Sequence, residues 1–332
     1  MGKKKKVKYL PQGLPCGSFC ECENMSVFPY SLDNKRYHTL HYYNLKRYGG
    51  KVYKASIDAG LSCPNRKEGR GGCIYCHEGS RYFSAPGSVK EQMEAEISRI
   101  HRKNPGAKVI AYFQAGTNTY ASPEQLREMW QEALLFPEVV GLSIATRADC
   151  LEEEKLSLLE EFHNKTDLTV ELGLQTVHDE TARRIGRGHD FEAFLQGFQA
   201  LKALGIRTCV HIINGLPGED REMMLETAKT LAALRPDGVK IHLLHVTDGT
   251  PLAEIWRKGG YLPMEKEEYI SLAAEQLRYF SAETVIERLT GDGDKRYLLA
   301  PKWSMDKISI LGGIDKQLAL WDGIQGDRVT IV

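Results

Sequence analysis

"KVYKASIDAGLSCPNRKEGRGGCIYC", residues 51–76, is the stretch on which the fold turns. Its first half, Lys51–Asp58, is a short run of strand-forming residues. Its second half carries Cys63, Cys73 and Cys76 in a C-x9-C-x2-C spacing, with aromatic Tyr75 just before the last cysteine. A strand that feeds a ligand-rich loop places that loop at the C-terminal edge of an α/β sheet, where such folds build their sites. Gly69, Gly71 and Gly72 let the backbone there wrap closely around a bound group.

Five more strand-type runs follow: "AKVIAYF", "VVGLSIAT", "LTVELGL", "IRTCVHII" and "GVKIHLLHV". Helical segments with clear start signals lie between them. Ser88 is followed three residues on by Glu91, and Ser122 by Pro123 and Gln125, both capping boxes. Asp190 opens the helix "FEAFLQGFQALKAL", which Gly205 closes. Strands alternating with helices imply a parallel sheet with right-handed crossovers, either an incomplete (β/α)6 barrel or a doubly wound sheet. The runs read as apolar on both faces, as a covered parallel sheet requires. Three regions follow: a basic, Cys/Tyr-rich N-terminal extension (1–49), the α/β core (50–260), and a C-terminal α/β extension packed on it (261–332).

The 332 residues carry 44 Lys+Arg against 44 Asp+Glu, so net charge selects no class of partner. Lys3–Lys6 and Lys8 form a basic arm, and no apolar run has the length of a signal core or a membrane span. The reading is a cytoplasmic protein with no membrane partner. In a reducing compartment its eight cysteines point to ligation rather than disulfides. Cys16, Cys20 and Cys22 stand in a C-x3-C-x-C run, either non-ligating or holding zinc or a second cluster, and Cys150 and Cys209 read as small core hydrophobes.

What do three thiolates hold? Structural zinc takes four ligands, and His77, adjacent to Cys76, is poorly placed to be the fourth. Iron–sulfur clusters are held by thiolates, usually four. A cubane held by three leaves one iron open to the amino and carboxylate groups of S-adenosylmethionine. One electron then breaks the sulfonium C–S bond and releases a 5′-deoxyadenosyl radical, with the protein holding and shielding the cofactor. The alternatives are a zinc knuckle or incidental thiols.

The cysteine stretch resembles that of radical S-adenosylmethionine enzymes. The commonest family spacing is C-x3-C-x2-C; the longer first gap here is similar to that of the Elongator catalytic subunit and its relatives. The resemblance spans roughly residues 50–250 and implies an incomplete barrel of radical SAM type, a [4Fe-4S] cluster on Cys63, Cys73 and Cys76, and bound S-adenosylmethionine. It continues through "RLTGDGDKRYLLAPKWSMDK", which looks like a subfamily signature, and "YFQAxTNTYA" resembles a bacterial subfamily.

Further positions carry cofactor roles in this reading. Tyr75 adjoins the cluster. Gln114 and Thr117 follow the second strand, where the family often has Gly-Gly-Glu and this chain has Ala-Gly-Thr. Glu171 is a carboxylate inside a strand; ribose hydroxyls or an arginine would satisfy it. Gln175 ends that strand. Arg187, in "GRGHD", could fork a methionyl carboxylate or pair with Glu171. Gly215 and Gly218, in "NGLPGED", match the motif that packs on adenosine, and Asp220 reads as a helix cap. His242 and His245 fall on opposite faces of a regular strand. His245 and Lys307 are the candidate catalytic residues, and Lys302, Trp303 and Lys307 either reach the barrel mouth or seal it.

Three functions stay open. The tyrosine-rich basic stretch 36–48 and the lysine arm offer stacking faces and phosphate partners for tRNA, or those tyrosines pack on the barrel. The Elongator-like spacing implies tRNA wobble-uridine chemistry, such as carboxymethylaminomethyl to aminomethyl, with a low-potential donor such as flavodoxin or ferredoxin. No long acetyltransferase region follows the core, so acetyl transfer is not expected. The other readings are a small-metabolite or peptide substrate and a non-catalytic iron–sulfur sensor.

Overall fold

The computed structural model describes residues 27–66, 71–77, 81, 84–291 and 293–329. The lysine arm, Cys16, Cys20, Cys22 and Gly69 lie outside the described residues. Helix α1 (Leu40–Tyr48) leads into strand β1 (Val52–Ile57), and α2 (Val89–Lys103) follows the cysteine loop. Then come β2 (Lys108–Phe113), α3 (Pro123–Ala133), β3 (Val139–Thr146), α4 (Glu153–His163) and β4 (Asp167–Gln175). Helices α5 (Asp179–Arg184) and α6 (Phe191–Ala203) precede β5 (Arg207–Asn214), and α7 (Arg221–Ala233) precedes β6 (Gly238–Leu243). The remainder is β7 (Val246–Thr247), α8 (Pro251–Arg257), α9 (Lys266–Leu277), β8 (Val285–Arg288), β9 (Leu298–Ala300) and α10 (Lys307–Leu320).

Both capping boxes form, at Ser88 with Glu91 and at Ser122 with Gln125. Asp190 and Asp220 cap α6 and α7 through side-chain bonds to Ala193 N and Met223 N. These caps satisfy the first free N–H groups and fix where each crossover helix starts.

The strands pair in parallel in the order β1-β2-β3-β4-β5-β6-β8. Strands β1 and β8 are the two edges of an unclosed barrel. The sequence places six strands in the core and puts "TVIERLT" in the extension; the structure makes Val285–Arg288 a seventh parallel strand beside β6. A four-residue strand bearing two inner charges has too little pattern to be read as core.

The expectation of two apolar faces is also corrected. Val109, Phe113, Leu142, Val170, Val210 and Val239 face outward into one core with the helices. The alternate residues, among them Lys54, Tyr112, Ser143, Glu171, His211 and Lys240, are joined by hydrogen bonds inside the barrel. An open barrel with a wet mouth tolerates a polar lining that a closed one fills with aliphatics.

Segment 36–48 packs under the barrel. Tyr37 is buried, Tyr48 Oη donates to Asp167 Oδ2 at 2.8 Å, and the Arg207 guanidinium lies 4.7 Å from the Tyr43 ring centroid. Asp167 and Arg207 begin β4 and β5, so this stretch plugs the end opposite the cysteine loop. Tyr37, Tyr43 and Tyr48 are therefore spent on packing. Ile286 N donates to His38 O at 2.8 Å, which covers the free edge of β8. Among the described residues no helix is long and apolar enough to cross a membrane.

Candidate active site

The C-terminal ends of the strands surround a cavity of about 720 Å³, within the range of small-molecule sites. Cys63, Cys73 and Cys76 all line it, together with Tyr75, Gln114, Thr117, Glu171, Gln175, Arg187, His242 and His245. Most of the positions expected from the sequence thus meet in one place. Gly215 and Gly218 do not: they line a separate cavity of about 480 Å³ with Tyr261 and Met264, and the Tyr261 hydroxyl donates to Gly215 O at 2.7 Å. Lys302 donates to Leu298 O and Trp303 Nε1 to Met264 O, so both hold the C-terminal segment in place instead of reaching the cavity.

The cysteine loop is tied down from several directions. Asn65 Nδ2 donates to the carbonyls of Gly186 and Arg187 at 2.8 and 2.7 Å, and lies 3.6 Å from Cys73 Sγ. Arg66 Nη2 is 2.9 Å from Cys76 O and 3.4 Å from Cys76 Sγ. Arg81 clamps Asp58 and donates to Leu61 O. Burial pushes the Cys73 thiol up to about 11, and Asn65 opposes that rise. N–H donors aimed at sulfur favour thiolates and tune a bound cluster.

Among the described residues, the group of ligand atoms lying within 4.8 Å of one another is Glu171, Cys209 and His211, and it contains none of the three loop cysteines. Thiolates on one tetrahedral zinc would stand about 3.8 Å apart. The three loop cysteines are therefore not gathered as a single-ion site would gather them. Glu171, meanwhile, already accepts from two ammonium groups, which disfavours a cation beside it.

The Glu171 carboxylate is enclosed. Lys54 Nζ stands at 2.6 Å, Ser143 Oγ and His211 Nε2 at 2.7 Å, Tyr112 Oη at 2.9 Å, and Lys240 completes the set. Burial would raise its pKa, but Lys240 and Lys54 hold it well below the carboxylate range. Two lysines take the place of the arginine expected from the sequence.

Arg187 is likewise engaged. Its Nη1 donates to Leu174 O and Thr176 O at 2.5 and 2.6 Å, and its Nε to His189 O at 2.9 Å. Buried Nη2 has no hydrogen-bond partner and lies 3.6 Å from Asp179 Oδ1. The guanidinium thus braces the end of β4, where Gln175 holds a left-handed φ of 67°. The two histidines do not split between faces, because β6 ends at Leu243; both line the cavity. His77 stacks on Tyr297 at 4.7 Å between centroids. Lys307 lies near Arg288 and His245, and Cys150 and Cys209 are buried.

Sequence reasoning missed Asn65, Arg66, Arg147, His211, Lys240 and Arg288. The available signal was the polar period-two set within the strands, as in "VKIHLLH". Among the described residues, Arg66, Arg81, Arg147, Arg187, Lys240 and Arg288 line the cavity together with one carboxylate, Glu171.

Comparison with known proteins agrees with this geometry. Residues 62–231 match the model of the Radical SAM superfamily, and residues 236–319 that of the Radical SAM C-terminal domain. The chain is 45% identical over 304 residues to the protein YtqA of Bacillus subtilis, covering 90% of this chain and 94% of that one. A 138-residue stretch is 38% identical to the tRNA uridine(34) acetyltransferase of Methanocaldococcus jannaschii, covering 40% of this chain and 25% of that enzyme. Among solved structures, the archaeal Elp3 of Methanocaldococcus infernus shares the fold with a TM-score of 0.61 at 21% identity, over 80% of this chain and 63% of that one.

Proposed function

The chain belongs to the radical SAM superfamily, and from that premise we propose that it remodels the 5-side chain of a wobble uridine in tRNA, converting a carboxymethylaminomethyl-type group to aminomethyl. Enzymes of this superfamily use a [4Fe-4S] cluster and S-adenosylmethionine. When bound, that pair supplies a 5′-deoxyadenosyl radical able to take hydrogen from an unactivated carbon. Cys63, Cys73 and Cys76 hold the cluster, and Asn65 and Arg66 stabilise the negative charge on its sulfurs. Tyr75, Gln114, Thr117 and Gln175 border the space for S-adenosylmethionine. Arg187 braces the strand end on which Gln175 stands, and Glu171 with its lysines makes a rigid polar floor. A low-potential flavodoxin or ferredoxin would supply the priming electron; the hydrogen removed would come from the carboxymethyl arm, a one-electron acceptor would take the electron left on that carbon, and water would hydrolyse the resulting imine, releasing the two carbons as glyoxylate and leaving the aminomethyl group.

The observation that supports the tRNA part is the 138-residue likeness to an enzyme named for uridine 34 of tRNA. The test is nucleoside mass spectrometry of tRNA from a deletion strain complemented with wild-type protein or with Cys63→Ala, Cys73→Ala or Cys76→Ala. Wild type should restore the aminomethyl-type nucleoside, and each variant should leave its precursor to accumulate. The purified variants should lack iron–sulfur absorption and form no 5′-deoxyadenosine. An unchanged nucleoside profile on deletion rejects tRNA as the substrate; 5′-deoxyadenosine from the triple variant rejects the ligand assignment.

A further inference from the structure

We propose that His211 is the proton acceptor of the reaction: its Nδ1 takes a proton from the substrate's secondary ammonium once a hydrogen atom has left the adjoining carbon. The inference rests on the conversion proposed above.

Three observations converge, and the first is the tautomer. His211, on β5, places Nε2 2.7 Å from Glu171 Oε2. Lys240 and Lys54 hold Glu171 ionised, so the carboxylate accepts and the imidazole donates. The hydrogen therefore sits on Nε2, and Nδ1 of the neutral ring keeps its lone pair. A carboxylate bonded to an imidazole in this way orients the ring and stabilises the imidazolium formed when the other nitrogen takes a proton. The second observation is access. His211 lines the same cavity as the three cysteines, and its side chain is 18% exposed. Among the described residues Nδ1 has no hydrogen-bond partner, yet it is not sealed off as Nε2 of the neighbouring His242 is, whose ring centroid lies 5.2 Å away. The lone pair is open to the cavity.

Protonation state supplies the third. The groups facing the ring are Glu171 on β4, Lys240 and His242 on β6, Arg288 on β8 and Cys209 on its own strand, and Tyr112 on β2 donates to the same Glu171 oxygen. Burial and then Lys240 lower the His211 pKa, and the bond to Glu171 opposes them without reversing the shift. Burial keeps Cys209 a neutral thiol and His242 a neutral imidazole. His211 is thus an unprotonated base near pH 7, and its conjugate acid gives the proton up readily afterwards.

The proposed conversion needs such a group. A secondary amine on alkyl carbons is protonated near pH 7, as a lysine amine is. Removing a hydrogen atom from the carboxymethyl carbon leaves a radical beside a positively charged nitrogen, where it holds its electron. Transfer of one N–H proton to Nδ1 frees the nitrogen lone pair, the one-electron acceptor takes the remaining electron, and a C=N bond forms. Water then adds to that carbon and the C–N bond breaks, giving glyoxylate and the aminomethyl group. The Nε2–H bond to Glu171 persists throughout, so the imidazolium forms against a carboxylate that is already ionised.

The test uses the reconstituted holoenzyme with tRNA from the deletion strain. Both 5′-deoxyadenosine and the aminomethyl nucleoside are quantified across the pH range from about 5 to about 8. In wild type the rate of nucleoside formation should fall on acidification, below the ordinary imidazole value of 6.5, as Nδ1 becomes protonated. His211→Gln keeps an N–H for Glu171 and has no basic nitrogen. It should raise the ratio of 5′-deoxyadenosine to nucleoside by about tenfold or more, lose that acid limb, and recover with added imidazole. Wild-type ratio and pH profile in the folded variant, or equal loss of both products with no recovery, would overturn the assignment and leave the tRNA reading in place. A wild type that forms 5′-deoxyadenosine and no aminomethyl nucleoside rejects the tRNA reading and this role with it. Anaerobic acylation of the wild type by diethyl pyrocarbonate decides even if the variant fails to fold. Peptide mass spectrometry should find His211 acylated near pH 7; an unmodified His211 would mean that Nδ1 offers no open lone pair, and the proposal ends there.

Discussion

Glu171 is where burial, charge and hydrogen bonding must agree. Its carboxylate is fully enclosed, yet two ammonium groups and three further donors surround it. Removing one member of such a set costs more than the set itself contributes, because the remaining charges stay buried. Glu171→Gln leaves Lys54 and Lys240 facing each other across a neutral amide. We expect a loss of about 3–5 kcal/mol in urea unfolding. Adding Lys240→Met should recover part of it, so that the double variant costs less than the two single changes summed. Strict additivity would mean that the two residues do not share one network. The sequence exposes Glu171, since a carboxylate in a strand demands a partner. It hides which partner, because Lys54 and Lys240 lie 117 and 69 positions away and meet it only across the barrel.

At the scale of elements, the cysteine loop keeps its shape because the loop after β2 comes against it. Gly116 has a φ of 76°, and a Cβ there would meet Leu61 O at 2.4 Å. Thr117 N donates to Ser62 O at 3.1 Å, next to the first cysteine. Gly106 is a useful control, with a φ of 72° and nothing within 4 Å of its notional Cβ. Gly106→Ala should cost about 1–2 kcal/mol from backbone conformation alone. Gly116→Ala should cost more in urea unfolding and also lower the iron retained after anaerobic reconstitution, because the Cys63 segment has to move. Equal costs and equal iron would separate the two loops. Elements of this size were largely legible: helix starts followed from capping boxes, and strands from β-branched runs. The inner polar face was not, because a six-residue strand with an apolar outer face looks core-like in either register. Strand β8 was assigned to the extension because its four residues, two of them charged, carry too little pattern to be read as core, and the direction in which the tyrosines of α1 pack is decided by β4 and β5, far along the chain.

For the molecule as a whole, the open barrel is a shell with apolar bonding outside and ionic bonding within. Lys54 bridges Glu171 of β4 and Glu287 of β8 at 2.6 and 3.0 Å, and Arg207 of β5 reaches Glu287 at 2.8 Å. These contacts span the gap between the edge strands that backbone pairing leaves open, so opening the barrel means separating charges. Burial would raise the Glu287 pKa, but Lys54 and Arg207 bring it to about 2 from an ordinary 4.5. A depressed folded-state value means that the unfolded chain binds protons first. The stabilisation is therefore complete above about pH 4.5 and is lost as pH falls toward about 2; at its plateau it amounts to about 3 kcal/mol. Glu287→Gln cannot titrate. It should be less stable than wild type at pH 7, with the gap narrowing steadily between pH 4.5 and pH 2 in urea unfolding. Taking the difference between the two proteins cancels whatever an acid-labile cofactor contributes to both. A gap that stays constant across that window would place the ionic span outside the forces that hold the barrel's edges together.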